Sequence, residues 1–164
     1  MAVILDANAL INLYRAEILS LIYLATECIV PAEVYAEAVT NGQMAGYPDS
    51  SGIAEIIGPC TEEFMEIQPD LGRTGRGETA VLRVYLERRG NSFPSDDQRF
   101  LRYLERMERS ERVAIRHLGT PQFIVQSTIN GLITKSQALD GIASLGGGIS
   151  EVQSTDALQR LETL

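Results

Sequence analysis

Five acidic side chains stand at four points along the chain where they could take part in metal chemistry. Asp6 closes the run ILD, Glu37 lies in VPAEVYAEAV, Glu78 lies in GRGETAVL, and Asp96 and Asp97 lie in PSDDQRF. Each lies where a strand-like apolar run stops or where a helix begins. Because the carboxyl ends of strands in open α/β sheets converge on one crevice, we expect these acids to gather there. Carboxylates gathered in one crevice would hold a divalent cation.

The elements that position these acids alternate between strand and helix. Short apolar runs predict strands at residues 2–5, 28–30, 53–57, 91–94 and 123–125. Helix-forming or amphipathic segments predict helices at residues 9–25, 32–39, 78–88, 96–117, 129–145 and 149–164. Residues 41–52, rich in Gly, Asn, Ser and Pro, predict a loop. This alternation is typical of a mainly parallel α/β sheet with helices on both faces, a three-layer α/β/α sandwich.

The length and composition of the chain fit one globular domain. Its 164 residues, 45% of them hydrophobic, can bury a sizeable core without disulfides. We therefore expect a single domain over residues 1–164, in which residues 146–164 form a C-terminal tail. Cys28 and Cys60 show no metal-binding spacing and follow no signal peptide, and the longest apolar stretches are too short to span a bilayer. These features predict a cytoplasmic protein with reduced thiols and no membrane association.

Charge is distributed unevenly along the chain. The net charge of −8 argues at first against a polyanionic partner, because Lys and Arg supply most of the affinity for nucleic acid. Residues 73–116, however, carry eleven of the fourteen basic side chains, all Arg, against seven acids. Two interpretations stay open for this window. It forms an RNA-facing patch, or it is a solvated helix with ion pairs such as Glu105 with Arg109 and Glu108 with Arg112.

The acidic motifs, taken in order, resemble those of the PIN domain, a fold of metal-dependent ribonucleases. The order is an Asp that closes the first strand in ILDAN, a helical Glu in PAEVYAE, a Glu in GRGE and an Asp in SDD. The resemblance covers most of the chain and extends to the layout of a toxin-like branch, with a late NGLI segment, a helix and a C-terminal tail. It implies a toxin-like or RNA-processing endoribonuclease and does not name the RNA.

The resemblance also assigns roles to the acids. It implies that the catalytic residues are Asp6, Glu37, Glu78 and Asp97. The implied metal ligands are Asp6, Glu78, Asp96 and Asp97, and the implied cofactor is Mg²⁺ or Mn²⁺. Mg²⁺ suits such a set because it prefers octahedral oxygen coordination, keeps several waters and needs only a few carboxylates.

Structural roles compete with these assignments. Asp6 would also serve as a helix cap, and Glu78 as a first-turn glutamate favoured by the helix dipole. Glu33 lies on the same helical face as Glu37 and is the reserve for the second acid. Asp96 and Asp97 are adjacent and point in different directions, so that one caps a helix while the other faces the crevice; the SDD pattern favours Asp97 for the crevice.

Candidate contacts to the substrate are polar or basic residues near these acids. Asn8 and Ser127 are candidates for positioning water or phosphate, although each also fits an ordinary turn or cap. Arg73, Arg76 and Arg99 are candidates for phosphate contacts because they flank Glu78 and Asp97. The segment after Val125 contains no acid, so the choice between one and two metal ions stays open.

Other functions and partners remain to be weighed against the metal-dependent nuclease. A receiver-like or phosphate-binding α/β signalling module would also use acids around Mg²⁺, but it needs a late-loop Lys, and Lys135 lies inside a predicted helix. A catalytically incomplete PIN domain that binds RNA is a further alternative. The expected partners are RNA, an antitoxin protein and a second copy in a homodimer. Leu158, Leu161 and Leu164 in the tail would form a dimer contact or pack on their own domain.

Overall fold

The described strands of the fold are short and pair in parallel. The computed structural model describes residues 2–59, 76–87, 92–111, 114–146 and 149–164. Strand β1 (Val3–Ile4) pairs in parallel with β2 (Cys28–Ile29), and β3 (Phe93–Pro94) pairs in parallel with β4 (His117–Leu118). A parallel bridge between Val3 and Ser92, with Ile4 N donating to Ser92 O at 3.1 Å, places β1 between β2 and β3. The strand order is therefore β2, β1, β3, β4, with helices in the connections.

The strands predicted at residues 2–5, 28–30 and 91–94 are confirmed, although each is shorter than expected. β1 is buried, as its apolar sequence indicates, and the chain turns into helix α1 (Ala7–Arg15) immediately after Asp6. The helix predicted at residues 9–25 is divided in two. Glu17 has a φ of 58°, a left-handed conformation that a helix cannot contain, and α2 (Leu19–Ala25) begins after it.

The helix predicted at residues 32–39 is also confirmed, but its geometry changes along its length. It starts as α3 (Ala32–Tyr35), widens into a π-helix (Ala36–Asn41) and ends as α4 (Gly42–Met44). π-helical turns are rare and occur often at functional sites. Glu37 lies in the first turn of this π-helix.

The loop predicted at residues 41–52 and the strand predicted at residues 53–57 are wrong. The π-helix and α4 cover residues 41–44, and helix α5 (Pro48–Ile57) covers residues 48–52 of the predicted loop and all of the predicted strand. Pro48 stands in its first turn, where a missing N–H costs nothing, and Ile53 and Ile57 share its buried face at a spacing of four residues. The short apolar run was therefore part of a helical stripe, which periodicity over five residues cannot distinguish from a strand.

Two further helices lie before β4. Helix α6 (Arg76–Glu87) confirms the helix predicted at residues 78–88 within the described range. Helix α7 (Gln98–Glu111) is shorter than the helix predicted at residues 96–117. His117 belongs to β4 and stacks against Phe93, with ring centroids 6.3 Å apart, because this segment adds a strand beside β3.

The strand predicted at residues 123–125 is wrong, because these residues lie inside helix α8 (Thr120–Ile129). Phe123, Ile124 and Val125 are all buried, so the helix is covered on several sides and shows no one-sided apolar stripe in the sequence. The helix predicted at residues 129–145 is confirmed as α9 (Lys135–Ser144), which starts later than expected. A capping box between Thr134 and Gln137 fixes that start.

The C-terminal tail packs on its own domain. Helix α10 (Glu151–Glu162) contacts α8 and α9 and buries Ala157 and Leu161 completely. Leu158 is half-buried, whereas Leu164 is exposed. The fold is therefore of the α/β class, with α10 as part of its core. Among the helices that the structure describes, none combines the length and the apolar character required to cross a membrane.

Candidate active site

Asp6 lies at the point where β1 passes into α1, and its side chain is 4% exposed. Its Oδ1 accepts a hydrogen bond from Ala9 N at 2.6 Å and so caps α1. The capping role anticipated from the sequence is thus observed. It leaves the second carboxyl oxygen of Asp6 available for another contact, and a cap and a ligand are therefore compatible roles for this residue.

Burial raises the pKa of Asp6 to about 7. A carboxylate loses the stabilisation of water when it is buried, so its neutral form is favoured. The negative charges of Asp96 and Glu78 act in the same direction, while the Ser95 hydroxyl and the Ala9 amide lower the pKa. Asp96 and Glu78 therefore lie close enough for their charges to act on Asp6.

Ser95 lies beside Asp6 at the end of β3. Its side chain is fully buried, and its Oγ makes no hydrogen bond of ordinary geometry with the described residues. The Ser95 hydroxyl nevertheless lowers the pKa of Asp6, so it lies beside the Asp6 carboxyl and favours its charged form. From the sequence, Ser95 is a candidate cap for the helix predicted at residues 96–117 and not a candidate site residue. The sequence feature that could have pointed to Ser95 is its position directly before Asp96 and Asp97, at the carboxyl end of a predicted strand.

Asp96 is held by three hydrogen bonds from two helices. Its Oδ1 accepts from Thr120 N at 2.8 Å, at the first residue of α8. Its Oδ2 accepts from Thr120 Oγ1 and, at 3.1 Å, from Asn12 Nδ2 of α1. A carboxylate offers about four acceptor positions, so roughly one remains for a ligand. Sequence reasoning missed Asn12 and Thr120, because neither belongs to an acidic motif.

Asp97 caps α7. Its Oδ1 accepts hydrogen bonds from Arg99 N at 2.7 Å and Phe100 N at 3.0 Å. The neighbouring acids thus divide their roles differently from the sequence prediction, since Asp96 is the one whose charge acts on Asp6 and Asp97 is the helix cap. Asp97 still lies near the cluster, because its charge contributes to the raised pKa of Glu37.

Glu37 lies on the π-helix and Glu78 lies on α6, close enough for the charge of Glu78 to act on Glu37. Partial burial raises the pKa of Glu37, and the charges of Glu78 and Asp97 add to the effect. Gly77 makes this approach possible, because a Cβ atom at that position would lie only 2.7 Å from Glu37 Oε2. We call these five acids the acidic cluster: Asp6 is its buried member, Glu78, Asp96 and Asp97 are partly exposed, and Glu37 is exposed.

Glu33 has a different environment from Glu37. It is 8% exposed, and its Oε1 lies 3.7 Å from Arg83 Nη2 of α6. This buried ion pair joins α3 to α6 and holds Glu33 at the interface between these helices. The arrangement favours Glu37 over Glu33 as the acid that faces the cluster.

The candidate substrate contacts lie in several environments. Asn8 is exposed in the first turn of α1, beside the cluster. Ser127 is buried, and its Oγ donates a hydrogen bond to Phe123 O at 2.8 Å. The Ser127 hydroxyl therefore already has a partner within α8. Arg99 is exposed at the start of α7. Arg73 and the side chain of Arg76 lie outside the described residues.

The donor set suits a hard divalent cation. Within the described ranges, no group of three or more His, Cys, Asp or Glu side chains is arranged to hold a metal ion. Mg²⁺ requires fewer, because it keeps several waters and is commonly bound through one or two carboxylates. Asp6 and Asp96 supply two carboxylates, and the buried Ser95 hydroxyl beside Asp6 supplies a further oxygen. The residues present therefore fit such an ion.

Parallel strands with an acidic cluster at the end of the first strand define an α/β domain with a metal-compatible site. A family model described as DUF3368: PIN domain matches residues 2–162. The chain therefore belongs to the PIN domain family, whose fold is in general nuclease-like, and the predicted family is confirmed. Comparison with curated proteins and with solved structures finds no match.

Proposed function

We propose that this protein is an endoribonuclease that hydrolyses RNA phosphodiester bonds with Mg²⁺ or Mn²⁺. The observation that carries the proposal is the buried Asp6 carboxyl, whose pKa is raised to about 7 by burial and by the charges of Asp96 and Glu78. A buried carboxylate becomes protonated or is stabilised by a positive partner, and a divalent cation would stabilise the charged form of Asp6 beside Asp96 and Glu78. Membership of the PIN domain family supports this function over a receiver-like module.

The residues of the cluster divide the work as follows. Asp6 and Asp96 would hold the ion, with Glu78 and Asp97 at its outer side. When bound, a divalent cation polarises the phosphoryl oxygen and lowers the pKa of an attacking water. Glu37, whose pKa is raised, is the candidate for accepting a proton from that water near neutral pH. Asn8 and Arg99, which are exposed near Asp6 and Asp97 in the sequence, are the candidates for orienting the phosphate.

Several finer statements belong to the same proposal. The strand order and the flanking helices support a three-layer α/β/α sandwich in one domain over residues 1–164. A toxin role, an antitoxin partner, a homodimer and a cytoplasmic location remain expectations. The packing of α10 favours its role in the core over a dimer contact by Leu161, which is fully buried.

RNA cleavage in the presence and absence of metal tests the proposed function. Purified protein should cut a fluorescently labelled single-stranded RNA with Mg²⁺ or Mn²⁺, and EDTA should stop the reaction. An Asp6→Asn preparation, purified in the same way, controls for contaminating nuclease. Cleavage that persists in excess chelator would contradict the metal mechanism. Binding without cleavage would instead favour the catalytically incomplete PIN domain.

A further inference from the structure

Helix α7 presents a stripe of arginine side chains to solvent. Its four exposed arginines lie at positions i, i+3, i+7 and i+10, which we call the arginine stripe: Arg99, Arg102, Arg106 and Arg109. At about 100° per residue, these positions cover an arc of about 80°. Phe100 and Leu104 are buried on the opposite side of the helix, so the stripe faces away from the core.

The charges of the stripe are not neutralised by acids in the part of the chain that the structure describes. The ion pairs found there are Arg15 with Asp49 and Arg83 with Glu33. The pair of Glu105 with Arg109, which a solvated helix would form, is not among them. Glu108 turns away and accepts a hydrogen bond from Ile115 N at 2.7 Å. The arginines of the stripe thus form no ion pair with the described acids, and a bound anion would reduce the repulsion between them.

The stripe begins at the acidic cluster and runs away from it. Arg99 N is capped by Asp97, and Arg109 lies ten residues further along, about 15 Å in an α-helix. Arg102 Nε donates to Gln98 O at 3.0 Å, and Arg106 Nε donates to Arg102 O at 3.2 Å. These bonds lay both side chains along the helix toward its N-terminus, and therefore toward the cluster.

We propose that the arginine stripe binds the phosphate backbone of a single-stranded RNA that extends from the cleavage site along α7. The inference rests on the proposed function. A line of cations that starts at the site matches a flexible polyanion, since phosphate contacts position a strand without reading its bases. The stripe therefore contributes affinity for longer RNA and little sequence preference. It also explains how a chain with a net charge of −8 attracts a polyanion.

Binding measured without cleavage tests this inference. Fluorescence anisotropy in EDTA would compare a labelled 12-nucleotide RNA with a labelled 4-nucleotide RNA for the wild type and for Arg102→Ala/Arg106→Ala/Arg109→Ala. The variant should bind the longer RNA at least about tenfold more weakly at low salt. Its slope of log affinity against log salt should fall by about 2 units, because about 0.7 counterion is released per phosphate contact on a single strand. The advantage of the longer RNA should disappear.

Two control variants separate the stripe from general effects. Ser136→Glu/Thr155→Glu/Gln159→Glu changes the net charge by the same amount at exposed positions on α9 and α10, and should keep the wild-type slope. Arg102→Lys/Arg106→Lys/Arg109→Lys keeps the three charges and should retain most of the slope. Circular dichroism melts confirm that each variant is folded.

The outcomes distinguish this inference from the proposed function. An unchanged salt slope in the folded alanine variant would overturn the stripe, even if the wild type cleaves RNA. Binding of poly-glutamate that depends on the stripe, together with an unchanged RNA slope, would assign the surface to an acidic protein and also overturn the inference. A wild type that cleaves no RNA would refute the proposed function, while a reduced slope in the alanine variant would still support RNA binding by the stripe.

Discussion

At the scale of single residues, Asp6 combines a helix cap with a carboxyl whose pKa lies far from its ordinary value. The cap is common, whereas the raised pKa of about 7 follows from burial beside other acids. Sequence reasoning reached Asp6 through its place at the end of a strand, because that position depends on a local pattern. It missed Ser95, Asn12 and Thr120, since their contacts to Asp6 and Asp96 depend on which distant elements become neighbours.

The raised pKa of Asp6 predicts a pH-dependent stability. The folded-state value of about 7 exceeds the ordinary 3.8, so the contribution of Asp6 is present at low pH and is lost as pH rises through about 7. Between about pH 4.5 and pH 8.5, the metal-free wild type should lose about 3 kcal/mol of unfolding free energy relative to Asp6→Asn. Urea unfolding of both proteins in EDTA measures this difference. A difference that does not vary with pH would contradict the buried, shifted carboxyl.

The contact of Thr120 with Asp96 predicts the effect of removing one hydroxyl. Thr120→Val keeps the side-chain shape but leaves Asp96 Oδ2 without one of its donors, and should cost about 1–3 kcal/mol of stability. RNA cleavage should fall as well, because Asp96 loses one of the bonds that orient it. Thr120→Ser retains the hydroxyl and should restore most of the cleavage rate. A Val variant with wild-type stability and cleavage would remove Thr120 from the site.

At the scale of secondary-structure elements, the success of sequence reasoning depended on how each element is buried. Strands β1 and β2 were predicted because short apolar runs that stop at Asp6 and Pro31 leave few alternatives. Helix α8 was mistaken for a strand because it is covered on several sides, and α5 because its stripe was sampled over only five residues. No local sequence pattern predicted the π-helix at Ala36–Asn41, because this geometry depends on how the segment packs in the fold.

The close approach of α6 to the π-helix predicts a separation of activity from stability. Gly77→Ala places a Cβ atom 2.7 Å from Glu37 Oε2 and must displace the end of that flexible side chain. Ala also favours a helix over Gly by about 1 kcal/mol. The variant should therefore melt at the same or a higher temperature while RNA cleavage falls. Equal cleavage rates for the variant and the wild type would show that the position of Glu37 is unimportant.

At the scale of the whole molecule, the composition of the sequence predicts the structure better than its net charge does. Composition correctly indicated a chain able to form a large core, and α10 contributes to that core through Ala157 and Leu161. Net charge was a poor guide, because −8 is the sum of an acidic majority and one arginine-rich window. In the fold, the charges of Asp96 and Glu78 act on Asp6 and those of Glu78 and Asp97 act on Glu37, although these acids lie far apart in the sequence, and the arginine stripe begins beside Asp97.

Thermal melts with and without metal test most directly the claim that these acids form one metal site. Saturation at about 100 times the dissociation constant should raise the melting temperature of the wild type by about 5–10 °C. Asp6→Asn should lose most of this rise and be at least as stable as the wild type in EDTA at about pH 8, because Asn keeps the cap and removes repulsion. Asp140→Asn, at an exposed position on α9, should respond to metal as the wild type does. A metal response that is absent from the wild type, or undiminished in Asp6→Asn, would contradict the proposed site.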